Sequence, residues 1–542
     1  MPLSEQAVSI IESIDLEKEE FENVFKGEKG HAMIFMDNHQ ENIKLLSTPG
    51  DGYYYDYSCL WEYKTSSFFI SLKSNFLNDH IERVKANYQK DPDRTPERLE
   101  ALRKILKKAQ GVNHAKAVFE LIKSNYMDEE FVGKLNKTPH LLPVKGCKVL
   151  DLKTLKLIPR TKAHLFDFEI NLDFVKETPN ADRFFKEVMK SDMEVVNYLQ
   201  LNLGYCITGE TSERCFYIFW GVGMNGKTTI CELIMGILGK LAISVDKKVL
   251  IKQETSSSHT AHLVPLISAR MGIYSENDKK EKLNASTIKE LTGNDTISCR
   301  QLYGKQFQFK PFIKFIMLTN NRPVFDVTDQ AMLDRIRYVP FNARFVDHPK
   351  NGEYKKDEKF ITDLKTKYLH EVFSWLAIGA HRYYTYKEKG TPLPIPDSLK
   401  DAKTDYINEL DNVCQFISEC YVKDSSAKVN RKKLYENYVQ WKQHNAEGEL
   451  VSSAEFYKRL TSLGYGLKIV HGERYITGLI KQEEQIETDH DTIDKYLLET
   501  EDRVPPVPEP EILSEQRVIK PKKTVIVKGK KAQTEFEVDI EN

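Results

Sequence analysis

The chain has no apolar run of about 18 residues, so nothing in it is built to cross a bilayer as a helix. Cysteine is sparse. Cys59, Cys147, Cys206, Cys215, Cys231, Cys299, Cys414 and Cys420 form no Cys-x-x-Cys pair, and no histidines stand at matching spacing around a cysteine pair. Those absences argue against a zinc module and leave reduced, buried thiols of an intracellular protein as the reading. The first residues, Met1-Pro-Leu-Ser-Glu-Gln6, lack the basic-then-apolar layout of a secretory signal. Excess charge of either sign is also missing: 79 Lys and Arg against 80 Asp and Glu give a formal net charge of -1. A chain so balanced binds a polyanion only through a confined basic surface.

What is present is ordinary for a globular protein: 542 residues, 40% hydrophobic and 29% charged, enough for three or four domains. Residues 1–144 read as an N-terminal α+β domain. In it Tyr53–Tyr63 and Ser67–Leu72 have strand-like composition, while 96–110 and 113–126 have helical spacing. Residues 145–209 read as collar and linker, with a long helix over Asp182–Leu203 that Gly204 would stop. From 210 to 395 apolar strand-length runs alternate with helical patterns, which predicts a parallel α/β sheet. Three prolines, Pro392, Pro394 and Pro396, mark the next change. Helical patterns over 412–422, 430–445 and 453–463 precede a hairpin turned at His471-Gly472, so 405–482 reads as a winged-helix-like module. Residues 483–542 pass from an acidic stretch (Glu483–Asp502) through prolines to a basic run (Arg517–Lys531), the composition of a disordered tail.

The centre of the sequence carries the chemistry. The apolar run Cys215–Trp220 leads directly into Gly221-Val222-Gly223-Met224-Asn225-Gly226-Lys227-Thr228-Thr229, followed by a helical pattern ended by Gly239. Strand, glycine loop and helix is the context of a phosphate-binding loop. The glycines let backbone N–H groups converge on phosphate oxygens, Lys227 reaches the β- and γ-phosphates, and the Thr228 hydroxyl ligates Mg²⁺. Hydrolysis also needs carboxylates for the metal and for water. Glu276 and Asp278 follow the strand Arg270–Tyr274 and share that role between them. Asn320 ends the strand Phe312–Thr319, where its amide can orient water at the γ-phosphate. Asp334-Arg335 and Arg337 open a further strand; Arg335 is the first choice for a transition-state arginine and Arg337 the reserve.

In this order, these residues resemble superfamily 3 helicases, closest to the helicase module of poxvirus, phage and plasmid primase–helicases. The resemblance covers about residues 40 to 482. It takes in Tyr198–Glu213, Lys282-Leu-Asn284, Ile288–Asp295, Arg300–Gly304, Thr319-Asn320, the Arg335 segment and Glu371–Trp375. It implies an AAA+-like P-loop ATPase core with a helical collar, using ATP and Mg²⁺ as a hexameric ring around single-stranded or forked DNA, with Arg335 acting in trans. It also implies a pore hairpin, here 296–309, where Arg300 and Lys305 would track phosphates and Tyr303 offer a stacking face; the same residues equally suit a plain surface hairpin. Two departures stand out. Many relatives have two arginines where this chain has Asp334-Arg335, and Asn277 splits the acidic pair.

The resemblance implies work in viral, phage or mobile-element replication, in the host cytoplasm or nucleus or the bacterial cytoplasm. A separate primase, polymerase or origin-binding protein would be the partner, with no membrane involved. Primer synthesis is not expected, because Asp91-Pro92-Asp93 lies in a polar turn rather than on a strand. A protein-remodelling ring ATPase and a nucleotide-gated DNA-binding scaffold are the rival readings. The winged-helix-like module serves DNA or protein equally well.

Overall fold

The structure, a computed structural model, describes residues 18–39, 41–46, 51–252, 261–275, 282–300, 306–445 and 450–482. The chain divides into two units, one of residues 1–416 with 437–463, the other of residues 417–436 with 464–542.

The first unit begins with helices α1 (Lys18–Phe25) and α2 (Gly27–His39) and an antiparallel sheet of β1 (Ile43–Leu45), β2 (Gly52–Tyr55) and β3 (Trp61–Lys64). Helices α3 (Ser66–Lys90), α4 (Pro96–Ala109) and α5 (Val112–Tyr126) follow. The expected strand Ser67–Leu72 is therefore helical. Its Phe-Phe-Ile composition favours a strand locally, but Phe69, Lys73, Leu77, Ile81, Val84 and Tyr88 bury one face at helical spacing, and the longer period wins. A second antiparallel sheet, β4 (Leu141–Val144), β5 (Lys148–Asp151) and β6 (Lys156–Pro159), comes next.

The expected single helix over Asp182–Leu203 is two, α6 (Pro179–Val188) and α7 (Met193–Ile207). Lys190 and Ser191 between them take positive φ, 51° and 62°, which no helix accommodates. Gly204 does not stop α7 but lies inside it. A Cβ there would meet the Ala380 nitrogen at 2.2 Å, so glycine lets α7 lie directly against a later helix.

Five strands form an all-parallel sheet: β7 (Phe216–Trp220), β8 (Ala242–Ser244), β9 (Met271–Ser275), β12 (Lys314–Thr319) and β13 (Ile336–Pro340). Between them in sequence lie α8 (Lys227–Leu238), α9 (Ala285–Thr292), the antiparallel pair β10 (Ile297–Arg300) and β11 (Gln306–Phe309), and α10 (Gln330–Arg335). The spatial order is β13-β7-β12-β9-β8, so β7 has the last strand on one side and the fourth on the other. Both faces are covered, which explains the uninterrupted apolar run of β7. Tyr217 and Phe219 enter one core with α6, α7, α8 and the long helix α12 (Leu369–Glu388), whereas Phe216 and Ile218 enter a second core with α9. Helix α11 (Glu358–Lys365) precedes α12, and α13 (Asp397–Leu410) follows it.

Packing fixes α12 closely. Trp375 stacks on Phe185, centroids 3.7 Å apart, and the buried Glu371 carboxylate accepts hydrogen bonds from the Asn180 backbone N–H (2.7 Å) and side-chain amide (2.8 Å). α6 is thereby held where Val188 reaches the glycine loop.

Beyond α13 come α14 (Asn412–Cys420), β14 (Tyr421–Asn430), α15 (Arg431–Asn445), α16 (Ser453–Ser462), β15 (Gly466–Val470) and β16 (Glu473–Lys481). The three expected helices and the hairpin at His471-Gly472 are present. The strand β14, which joins the hairpin in the order β14-β16-β15, was not expected. Its Lys-Asp-Ser-Ser-Ala-Lys centre carries little apolar alternation, and pairing to β16 organises it instead.

Among the described residues no helix is long and apolar enough to cross a membrane, and no group of three or more His, Cys, Asp or Glu is placed to hold a metal ion. No disulfide forms; Cys206, Cys215, Cys231 and Cys299 are buried, whereas Cys59, Cys147, Cys414 and Cys420 are only half-buried.

Candidate functional site

The carboxyl ends of β7, β12 and β9 lie side by side, because Thr319 pairs with Trp220 and Leu318 with Ser275. At such an edge, where strand order changes direction, a parallel sheet opens a crevice for ligands. The glycine loop fills it. Its path needs left-handed backbone at Gly223 (φ 107°), Met224 (φ 49°) and Gly226 (φ 84°). Gly226 then caps α8, whose first residue is Lys227. Gly221 is required for a different reason: a Cβ there would stand 2.2 Å from the Asn225 amide nitrogen and 2.6 Å from the Phe341 carbonyl oxygen.

Lys227 is only 5% exposed. Its ammonium donates to the Gly221 carbonyl (2.6 Å), to Asn225 Oδ1 (3.1 Å) and to Asn320 Oδ1 (3.1 Å). All three partners are neutral, and no carboxylate among the described residues pairs with it. A buried cation without a counter-charge is costly, and burial pulls the Lys227 ammonium down from 10.5 to about 8. An anion in the crevice would relieve that cost.

Asn225 holds the loop shut from behind. It is 3% exposed, and its amide donates to the Phe341 carbonyl (3.2 Å) while its oxygen faces Lys227. The Gly221 N–H donates to the Thr319 carbonyl (3.2 Å), which ties the loop to the strand that carries Asn320. A cavity of about 260 Å³ results, lined by Gly223 through Thr229, Ser275 and Leu318 through Asn320. Met224 and Thr228, in its lining, are exposed to solvent.

Of the remaining predicted residues that the structure describes, Arg335 and Arg337 do not line this cavity. Glu276 and Asp278 lie outside the described residues; the chain is followed along β9 to Ser275, which lines the cavity. Arg300 closes β10, but its side chain, Tyr303 and Lys305 also lie outside the described residues. Arg335 stands at the opposite edge of the sheet. It precedes Ile336, which pairs with Phe216 at the start of β7, so the five-residue length of that strand, about 16 Å, separates it from the glycine loop. Its guanidinium donates to Thr292 Oγ1 (3.0 Å) and the Ala331 carbonyl (2.7 Å). Arg337 donates to the Asp334 carbonyl (2.6 Å).

Arg322, not singled out in the sequence, sits at the same edge as Asn320. Its guanidinium lies over Trp220 (4.6 Å), Tyr406 (5.8 Å) and Tyr338 (5.9 Å), donates to Tyr338 Oη (3.1 Å) and pairs with Glu409. Only the fold brings those partners together; the sequence shows an arginine in a turn.

Residues 32–190 match the family described as D5 N terminal like, and residues 219–335 match a family of unknown function, DUF5906. Relatives include "Putative helicase L207/L206" of Acanthamoeba polyphaga mimivirus, 27% identical over 52% of this chain and 30% of its own length. "Putative helicase 121R" of Invertebrate iridescent virus 3 is 24% identical over 65% of this chain and 40% of its own. "Putative primase C962R" of African swine fever virus (strain Badajoz 1971 Vero-adapted) is 24% identical over 63% and 37%. The chain thus spans 30–40% of the length of these relatives. Among solved structures, "The apo structure of NrS-1 C terminal region (305-718)" covers 85% of this chain and all of its own at 11% identity, with a TM-score of 0.40. The two matched regions, with relatives from large DNA viruses named for helicase and primase, are consistent with a primase–helicase family.

Proposed function

We propose that this chain is an ATP-dependent DNA helicase of superfamily 3, a P-loop motor that works as a hexameric ring on single-stranded or forked DNA. The observation that carries the reading is the Lys227 ammonium, buried between the glycine loop and Asn320 with no carboxylate partner among the described residues. That arrangement suits a triphosphate. Lys227 would meet its β- and γ-phosphate oxygens, the loop N–H groups would surround them, and Asn320 would hold attacking water in line. The exposed Thr228 hydroxyl at the start of α8, with Glu276, would hold Mg²⁺, with Asp278 as the further candidate. When bound, that ion supplies charge neutralisation at the phosphates.

The position of Arg335 supports a ring. A strand's length removes it from its own loop, so it can serve a nucleotide only from a neighbouring subunit. The pore hairpin with Arg300, Tyr303 and Lys305, the winged-helix reading of 405–482, the tail 483–542 and the domain limits given above belong to this proposal. DNA-stimulated ATP hydrolysis with displacement of a forked strand tests it. ATP turnover indifferent to single-stranded DNA would instead favour a protein-remodelling ring or a nucleotide-gated loading scaffold. The relative named for primase gives primer synthesis as a further reading. Template-dependent incorporation of ribonucleotides by the full chain would establish that activity.

A further inference from the structure

A second, larger cavity adjoins the glycine loop. It measures about 560 Å³, within the roughly 300–1,000 Å³ of small-molecule sites. It shares Met224, Gly226 and Thr229 with the smaller cavity, so one ligand can occupy both. Its floor is apolar: Phe184 from α6, Phe345 after β13, and Phe360 and Ile361 from α11. Phe184 and Phe360 are 2% and 8% exposed. Phe345 is held in place twice. Its backbone N–H donates to the Met224 carbonyl (2.8 Å), and its ring stacks on Tyr354, centroids 5.4 Å apart.

The two cavities differ in their charged groups. The smaller one contains the Lys227 ammonium, and the charged rim of the larger one has more carboxylates than lysines, Glu187 and Asp347 among them. Several of those carboxylates are already engaged: Glu187 accepts from Arg183 (2.8 Å), and Glu358 pairs with Lys356 (2.6 Å). Those ion pairs occupy cations that could otherwise hold phosphate, whereas a flat, uncharged heterocycle gains by leaving water for the aromatic floor.

We infer that this cavity seats the base of a nucleoside triphosphate whose phosphates lie on the Lys227 loop, with Phe345 and Ile361 as its apolar contacts. The inference rests on the nucleotide reading of the smaller cavity and adds where the base lies. It also assigns a role to residues 345–361 that no sequence motif marks.

The test is equilibrium binding to the full chain of two ligands with Mg²⁺: the β,γ-imido analogue of ATP, and inorganic tripolyphosphate, which has no base. Phe345→Ala removes a ring contact, and Ile361→Trp fills the cavity without touching the loop. Each variant is expected to weaken the nucleoside analogue by about tenfold, the scale of base–aromatic contacts, and to leave tripolyphosphate binding unchanged. Either folded variant keeping the wild-type ratio of the two affinities would overturn the inference. So would an equal loss for both ligands, which would mean a distorted loop. Lys227→Ala separates the two levels: if it weakens neither ligand, the nucleotide reading itself fails.

Discussion

The Lys227 ammonium and the Asn320 side-chain oxygen meet at 3.1 Å across two neighbouring strand ends, although 93 residues separate them in sequence. The bond joins the group suited to hold phosphate to the group suited to orient water. Its chemistry yields the first prediction. Burial holds Lys227 at about 8, so the empty site loses its positive charge as pH rises through that value. Tripolyphosphate affinity should fall between pH 7 and 9.5, as measured by calorimetric titration. Arg keeps its charge throughout, so Lys227→Arg should bind more weakly at pH 7 but with a flat profile. The stability effect has the opposite sign: the unfolded lysine binds its proton up to about 10.5, so between 8 and 10.5 this group adds stability as pH rises.

The loop glycines should separate by mechanism. Gly221→Ala places a Cβ 2.6 Å from a backbone oxygen, and Gly226→Ala places one 2.9 Å from the tip of Val188 at φ 84°. Gly223→Ala meets no atom within 4 Å and bears only the strain of its φ, about 1–2 kcal/mol. Nucleotide affinity is expected to fall most for Gly221→Ala and least for Gly223→Ala. The reverse ranking would mean that close approach is not what selects these glycines.

Arg335 offers a test that needs mixed subunits. Arg335→Ala and Glu276→Gln proteins should each be inactive in ATP hydrolysis. Mixed together they should regain activity, because one interface then contains an intact arginine and an intact carboxylate. Absence of recovery at every ratio would remove Arg335 from the trans role.

Arg322 ties α13 to the sheet edge through Glu409 and three aromatic faces. Arg322→Ala should lower the melting temperature by several degrees, on the order of 1–2 kcal/mol of lost contacts. Arg322→Lys should not restore it, since an ammonium lacks the planar face that stacks. Full rescue by lysine would reduce the site to a plain ion pair.

The helical region of residues 18–126 should be acid-sensitive. His31 and His114 share a 2.9 Å hydrogen bond, and burial holds His31, His39 and His80 down at about 4. In the unfolded chain histidine takes up its proton near 6.5. Between 6.5 and 4 the unfolded state therefore binds more protons, and stability falls as pH drops through that window. Thermal unfolding at pH 7 and pH 5 measures the loss, and His39→Phe should make it smaller.

The sequence by itself determined the parts whose physics is local. The loop Gly221–Thr229 can turn as it does because Gly223 and Gly226 accept left-handed backbone at little cost, and the run Cys215–Trp220 announces a strand covered on both faces. The hairpin at His471-Gly472 follows from the same rule, both residues having positive φ, 48° and 83°. Local pattern misled where a longer-range contact overruled it: Ser67–Leu72 is recruited into a helix by its buried face, Gly204 serves packing rather than termination, and β14 is organised by its partner strand. Tertiary structure alone decided which distant residues meet. Strand order sets Asn320 beside Lys227 and puts Arg335 at the far edge, and helix packing brings Phe184, Phe345 and Ile361 around one cavity. The physical reason is that burial and pairing act through space, where sequence spacing has no say.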